Sequence, residues 1–380
     1  MKTEILIIGA GISGTSIAYN LAKEGITDIV VVEKGFLTSG STGRCGAGVR
    51  QQWGTKANCI MAKHSIEFFE NAEKTLDYDG DIEFKQEGYL ILAVTPEEDK
   101  AFSENVVLQN DLGIPSVKCN KEEALKIVPH LNPESFISAT FCQTDGHLNP
   151  FKMTDAFYQK AHKMGVNFLF SEEVESIIKT QDGFLVKTNK REIEAEKVVN
   201  AAGGYSHEIG MMVDLDIPTH SEKHEILVTE PVERMQGPMV MSFAKNIYCQ
   251  QVPHGSFLIG RGDPKQKPSH DMDSSWEFLD EMSKTVMEIM PKVGKLRVVR
   301  QWAGLYNLSP DRQPIISAVP EIPGFFVACG FSGHGFMFAP ITGLMMTQII
   351  TGKETMLDRA DYDLHRFKIN KTTVKEKSVV

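Results

Sequence analysis

Residues 3–34 read TEILIIGAGISGTSIAYNLAKEGITDIVVVEK. A short apolar run, Ile5 to Ile8, ends in Gly9, and further glycines fall at Gly11 and Gly14. Ile17, Leu21 and Ala22 share one face of the next segment, which Gly25 closes. A second apolar run, Ile29 to Val32, ends at Glu33. The pattern predicts a strand, a tight turn, a helix and a second strand. Gly9 permits the turn, Gly11 lets backbone approach a pyrophosphate, and Gly14 lets helix and sheet pack closely. Ile12 and Ser13 open the helix, whose N-terminus offers unpaired N–H groups and a positive dipole end to phosphates. Glu33 stands about 20 residues on, where its carboxylate can accept from ribose hydroxyls. Lys34 follows it. The stretch therefore reads as a dinucleotide site. The competing reading is a glycine-rich turn used only for packing.

The chain has 380 residues and a formal charge of −10. Its length allows two intertwined domains with sizeable cores. Its acidic balance argues against a nucleic-acid partner, which would want a basic face. Six scattered cysteines form no CxxC pair, so metal or iron–sulfur ligation within the chain is not expected. Disulfides are not expected either, and a cytoplasmic location fits. The apolar run after Met1 and Lys2 is only four residues long, so it is read as part of the turn and not as an export signal. Residues 336–350 are apolar but contain Pro340, Thr342, Thr347 and Gln348. They read as a buried helix and not as a membrane span.

Residues 36–56 form a long Gly/Ser/Thr-rich loop, and such loops usually carry function. Residues 57–76 read as one helix, with Met61, Ser65, Phe68 and Ala72 in a stripe. A strand is expected over 88–94, and helices over 96–111 and 120–128, the second capped by Asn120 with Glu123 three residues on. Asn149 and Pro150 open another helix, closed by Gly165. Strands follow over 166–170 and 174–178. A hairpin of 184–188 with a strand from Ile193 comes next, then a separate apolar strand within KVVNAAGG (197–204). Residues 215–312 change in texture: short alternating strands (224–230, 246–252, 256–260) surround one helix near 273–290. The pattern returns with the strand FFVAC, a glycine-rich turn and a long helix over 324–351. The expected division is a discontinuous nucleotide-binding domain of residues 1–80, 145–214 and 313–366. A mainly antiparallel substrate domain takes 81–144 and 215–312, and 367–380 forms a loose polar tail. The fold class is α/β, a Rossmann-type domain with a second sheet domain.

Three separated segments build one cofactor site. The first is the N-terminal turn. The second is VVNAAGG, where Ala201, Ala202 and Gly203 leave room for sugar and phosphates. The third is ACGFSGHGFMFAP (328–340), where Gly330, Gly333 and Gly335 let backbone lie flat against a ring, and the helix start can stabilise negative charge. A nicotinamide enzyme needs only the first segment, so the cofactor reads as a flavin dinucleotide.

GSTGRCGAGVRQ (40–51), RQWAGLYNLSPDRQPIIS (300–317) and CGFSGHGFMFAP (329–340) resemble the D-amino-acid oxidase superfamily. Within it they are most similar to the beta subunits of sarcosine oxidase and of archaeal-type L-proline dehydrogenase. The resemblance runs from about residue 3 to residue 352. It implies a glutathione-reductase-like FAD domain, an antiparallel substrate domain, and oxidation of an amine next to a carboxylate. Carried over by motif, Gly9, Gly11, Ser13, Gly14, Glu33 and Lys34 hold the ADP half of FAD. Ser41, Thr42, Arg44, Cys45 and Gly46 lie along the pyrophosphate and flavin, and Val174 meets adenine through its backbone. Gly333, His334, Gly335, Phe336 and Met337 run beside the isoalloxazine ring.

Several positions depart from the pattern. Gly304 stands where some members tether FAD through cysteine, so the FAD is expected to be noncovalent. Leu258 stands where monomeric sarcosine oxidases carry a lysine that promotes reaction with oxygen, which favours a dehydrogenase. Met337 replaces a lysine that binds substrate carboxylate. Pro150 falls where the sarcosine oxidase beta subunit attaches FMN, so covalent FMN is not supported, while noncovalent FMN at a subunit interface stays open.

Arg50 is the candidate carboxylate clamp, because a planar guanidinium suits bidentate contact; the alternative is an ordinary surface or phosphate-facing arginine. His224 and Tyr248 resemble substrate-side positions, against the alternative of a hydrogen-bonded pair within a sheet. The leading expectation is an FAD-dependent amino- or imino-acid dehydrogenase that passes electrons through partner subunits. A hydroxy-acid or glycerol-3-phosphate dehydrogenase is the second reading; a phosphate substrate would want a second cation near Arg50, for which Arg261 is the candidate. A non-catalytic flavin-binding subunit is the third reading, and a flavin-containing RNA-modification protein, which the acidic balance opposes, is the fourth.

Overall fold

The computed structural model describes residues 1–263 and 265–368. Among these residues the fold is mixed α/β, built on two eight-stranded sheets and one two-stranded pair. The first apolar run forms the central strand Lys2–Ile8. It pairs in parallel with Glu192–Asn200 on one side and Ile29–Glu33 on the other, so that Leu6 lies level with Val198 and Val30. Ile5 and Ile7 enter the core on one face, Leu6 and Ile8 that on the other. Burial on both faces is the reason the run is continuously apolar. The order continues outward to Asn167–Phe170 at one edge, and through Phe325–Cys329 to Ile315–Ala318 at the other. The helix Ile12–Lys23 covers one face. It meets the late helix Ala339–Ile350, where Ser16 Oγ donates to Ala339 O at 2.8 Å.

Two expectations need correction. The strand from Ile193 and the strand in 197–204 are one nine-residue strand, Glu192–Asn200. Its first half alternates polar and apolar residues and pairs antiparallel with Phe184–Thr188. Its second half, Val198 and Val199, is fully buried. The change of pattern marks a change of neighbours within one strand. The helix expected over 57–76 is two, Lys56–Glu70 and Ala72–Leu76. At the break, Asn71 Nδ2 donates to Glu67 O at 2.9 Å, a local bond that competes with the helical ladder.

The second sheet runs Val298–Leu308, His220–Thr229, Phe257–Gly262, Ile247–Gln251, Met239–Ser242, Tyr89–Ala93, Ser138–Cys142 and Ser116–Cys119. It is antiparallel except where Met239–Ser242 runs parallel to Tyr89–Ala93. Period-2 alternation divides its faces. Leu90 and Leu92 pack under the helix Trp276–Ile289 with Phe278, Met282 and Val286. Tyr89, Ile91, Ile226, Met239 and Tyr248 form a separate cluster on the opposite face. Of the expected tail, Phe367 packs against the core behind the first sheet; residues 369–380 lie outside the described residues. No helix among the described residues is long and apolar enough to cross a membrane.

Candidate active site

The carboxyl ends of the first sheet's strands and the Tyr89–Tyr248 face of the second enclose a cleft of about 390 Å3. Gly9 turns the chain at φ +105°, and a Cβ there would sit 2.5 Å from Ala201 O, so this crossing excludes a side chain. The N–H of Ile12 donates to Thr42 Oγ1 at 3.1 Å, while those of Gly11 and Ser13 have no acceptor among the described residues. Both glycines and both helix-opening residues line the cleft. Glu33 is held by its own surroundings: Oε2 accepts from Ala10 N at 3.0 Å, and Oε1 from Gly35 N and Ser39 Oγ. Lys34 Nζ lies 3.2 Å from the centre of the Tyr205 ring. Val174, Ala201, Ala202 and Gly203 complete this end.

In the middle, the 3-10 turn Ser41–Arg44 crosses toward the second sheet. Ser41 Oγ donates to Leu305 O at 2.8 Å, and Trp302 Nε1 to Arg44 O at 2.9 Å. A Cβ on Gly304 would lie 3.1 Å from Arg44 Cβ, so arginine backs onto the glycine. Burial pushes the Cys45 thiol up to about 12, which leaves it a poor nucleophile. The turn 331–338 faces this region with Gly333, His334, Gly335, Phe336 and Met337 all in the lining. Gly335, Phe336 and Met337 present N–H groups with no acceptor among the described residues, ahead of the helix Ala339–Ile350. This is a second helix start aimed at the cleft. The His334 ring stands edge-on to Trp53 at 4.5 Å. Burial, with the Arg50 charge nearby, holds it well below the usual histidine range.

At the far end lie Arg50, His224 and Tyr248. Arg50 is 2 % exposed, its guanidinium 3.6 Å from the Trp53 ring centre. His224 is sandwiched between Tyr306, ring centres 4.0 Å apart, and Tyr248, 5.7 Å apart. Burial lowers the His224 pKa to about 3, so the imidazole is neutral at physiological pH. Burial also raises Tyr248 well above its usual value, so its hydroxyl stays protonated.

The sequence-derived candidates thus converge on one cleft, with exceptions. Gly14 stands back from the lining, its Cβ position 2.0 Å from Gly9 O, and acts by packing. Gly330 is also outside it; its N–H donates to Asn307 Oδ1 at 2.7 Å and turns the chain. Arg261 does not reach the lining and lies 3.5 Å from Glu281, so it supplies no second cation beside Arg50. The sequence reading missed Tyr306 and Tyr89. Tyr306 was within reach, since strand alternation puts it on the same face as Gly304, two residues back. Tyr89 was not: its place depends on Gly48, where a Cβ would fall 1.7 Å from the Tyr89 hydroxyl.

The cleft fits FAD on three grounds: glycine crossings that a Cβ would fill, two helix starts with unpaired N–H groups, and an acid oriented after the second strand. Comparison with known proteins agrees. The curated sarcosine oxidase subunit beta of Rhodobacter capsulatus is 27% identical over 374 residues, covering 97% of this chain and 89% of that protein. Glycine oxidase of Geobacillus kaustophilus is 27% identical, covering 96% and 97%. The crystal structure of L-proline dehydrogenase from P. horikoshii superposes with a TM-score of 0.91 at 39% identity, covering 97% of this chain and 98% of that one. The profile of the family described as FAD dependent oxidoreductase (DAO) matches residues 4–349. The chain belongs to the DAO family of FAD-dependent amino-acid oxidoreductases.

Proposed function

We propose that the protein oxidises a small amino or imino acid at the carbon bearing the amine, working as a dehydrogenase and not as an oxidase. The observation that carries this reading is the buried Arg50 guanidinium at the aromatic end of the cofactor cleft. A buried cation facing a ligand cleft is best matched by an anionic ligand group. Arg50 binds the substrate carboxylate. Tyr248, His224 and Tyr306 form an aromatic wall, with Met239, Met241 and Ile226 beside it, so the remainder of the substrate is small and largely apolar. A neutral His224 does not repel the substrate amine and can accept from it, while the protonated Tyr248 hydroxyl can donate. Bound FAD supplies the acceptor for the hydride that leaves the carbon. The residues contribute position, which supplies much of the rate effect in such a transfer. Sarcosine, L-proline, hydroxyproline and D-amino acids all fit this description.

In this reading residues 1–80, 145–214 and 313–366 hold the cofactor, and 81–144 with 215–312 hold the substrate. Leu258, half-buried and outside the lining, and Met337, within it, bring no cation to the flavin end. This supports slow reaction with oxygen, as does the likeness to the L-proline dehydrogenase of P. horikoshii. Electrons then leave through partner subunits, for which the match to a sarcosine oxidase subunit gives support. FMN at such an interface and a cytoplasmic location belong to the same reading.

Anaerobic bleaching of the bound flavin tests it. Loss of the oxidised band with one of the four substrate classes is expected, with little hydrogen peroxide formed on admitting air. Bleaching by glycerol 3-phosphate but by no amine would overturn the substrate class, and rapid peroxide formation would overturn the dehydrogenase assignment.

A further inference from the structure

Residues 50–53, Arg-Gln-Gln-Trp, are 2, 4, 3 and 0 % exposed, yet they belong to no helix or strand. Buried irregular backbone with three polar side chains is costly unless each polar atom finds a partner. Most do. Gln51 N donates to Asp145 Oδ1 at 2.7 Å, and Gln51 Nε2 to Thr144 Oγ1 at 2.8 Å. Gln52 Nε2 donates to Asp145 Oδ2 and Tyr89 O, both at 3.0 Å. Trp53 Nε1 donates to Arg50 O at 3.0 Å. From the helix Pro96–Asp111, Gln109 Nε2 donates to Trp53 O at 2.8 Å.

Two acceptors remain. Gln52 Oε1 and Gln109 Oε1 are buried and without a partner among the described residues. Their Nε2 atoms are already committed to carbonyl and carboxylate oxygens, which fixes which branch of each planar amide carries the unpartnered oxygen. Both glutamines line a small cavity of about 10 Å3, together with Asn105, Thr140, Ile91, Phe102 and Phe243. That is room for about one water and for nothing larger. Water supplies two donors, matching the two orphan acceptors, and the Asn105 amide or Thr140 hydroxyl can donate to its oxygen.

We propose that this cavity is a hydration site: one ordered water bridges Gln52 and Gln109 and pins the Arg50–Trp53 turn to the helix Pro96–Asp111. Gln52 and Gln109 are positioning residues for Arg50. They reach no substrate themselves. The role assigned to them rests on the reading of Arg50 as the carboxylate clamp, but the water does not.

A crystal structure of the FAD-loaded protein at high resolution tests the site directly. One peak within hydrogen-bond distance of both Oε1 atoms is expected. A dry cavity, or a peak with the short contacts of a metal cation, would overturn it. Gln109→Leu, which removes one acceptor together with the donor to Trp53 O and fills the space, should lose the peak; its persistence would show that Gln109 is not a ligand. Gln109→Met serves if the leucine variant does not fold. The positioning role is read by titrating the oxidised, FAD-bound protein with pyrrole-2-carboxylate and following the flavin absorbance. The variant should bind this probe 3- to 10-fold more weakly at unchanged FAD content, and unchanged affinity would overturn the positioning role. Arg50→Ala in the same titration separates the two readings. Wild-type affinity there would remove the clamp while leaving the water in place.

Discussion

At the scale of single residues, the substrate end depends on one charge held in a dry place. The Arg50 guanidinium lies on the Trp53 ring, and one of its nitrogens donates to Gln52 O. Truncating one partner of a buried, hydrogen-bonded ion pair costs about 2 kcal/mol or more, and 2 kcal/mol is roughly a 30-fold change in affinity. Arg50→Ala is therefore expected to raise KM at least 30-fold while FAD content is unchanged. Arg50→Lys recovers only part of it, since an ammonium lacks the planar fork. Steady-state kinetics on the substrate found by bleaching decide the matter, and a KM within threefold of wild type removes Arg50 from the carboxylate. Arg50 was legible in the sequence because its motif is local. Tyr89 was hidden because no local pattern announces that a strand of the second sheet will reach over a glycine of the first loop.

At the scale of elements, the nucleotide turn works through backbone contact that a Cβ destroys. Gly9 and Gly25 both adopt positive φ, at +105° and +90°. Only Gly9 also meets backbone, 2.5 Å from Ala201 O, whereas nothing lies within 4 Å of a Cβ on Gly25. The pair separates conformational strain, of order 1–3 kcal/mol, from loss of the site. Gly25→Ala should lower the melting temperature and keep its flavin. Gly9→Ala should also shift the strand end at Ala201, and it should retain less than a tenth of the flavin, read from the absorbance ratio of the purified protein. Equal flavin content in the two variants would show that the crossing at Gly9 is not what holds the cofactor. Elements such as this turn were readable because strand, glycine spacing and helix period agree over about 30 residues. The merging of two expected strands into Glu192–Asn200 was not readable. Its break in pattern comes from neighbours, first Phe184–Thr188, whose paired residues lie 5–11 positions away in sequence, and then Phe325–Cys329, whose paired residues lie 127 away.

At the scale of the whole molecule, burial of titratable groups sets how the fold responds to acid. His224, His334 and His147 are all depressed, to about 3 for His224 and about 4 for His147, chiefly by burial. Lys85 and Arg234 also push His147 down, against Glu83, and Glu87 lies 3.7 Å from its Nε2. A depressed histidine adds stability above its unfolded pKa of 6.5, and that stability is lost as pH falls toward the folded value. Lowering from 6.5 to about 4 corresponds to roughly 3 kcal/mol. Asp145 acts in the opposite sense. Burial raises it to about 6, against Gln52, Gln51, Arg50 and Cys142, so its contribution is full below the unfolded value of 3.8 and is lost as pH rises toward 6. His64 and His130 are lowered by burial as well, and five histidines outweigh one aspartate, so the protein should lose stability steadily between pH 6.5 and pH 4. His147, outside the cleft lining, isolates the effect from cofactor binding. His147→Gln should flatten the decline by up to about 3 kcal/mol. Asp145→Asn should steepen it, because an opposing group is gone. Urea melts of the FAD-loaded protein at pH 7, 6, 5 and 4.5 give the slopes. A midpoint that does not move between pH 7 and pH 5 would mean that these imidazoles reach water, and the dry interior assigned to the cleft would have to be abandoned.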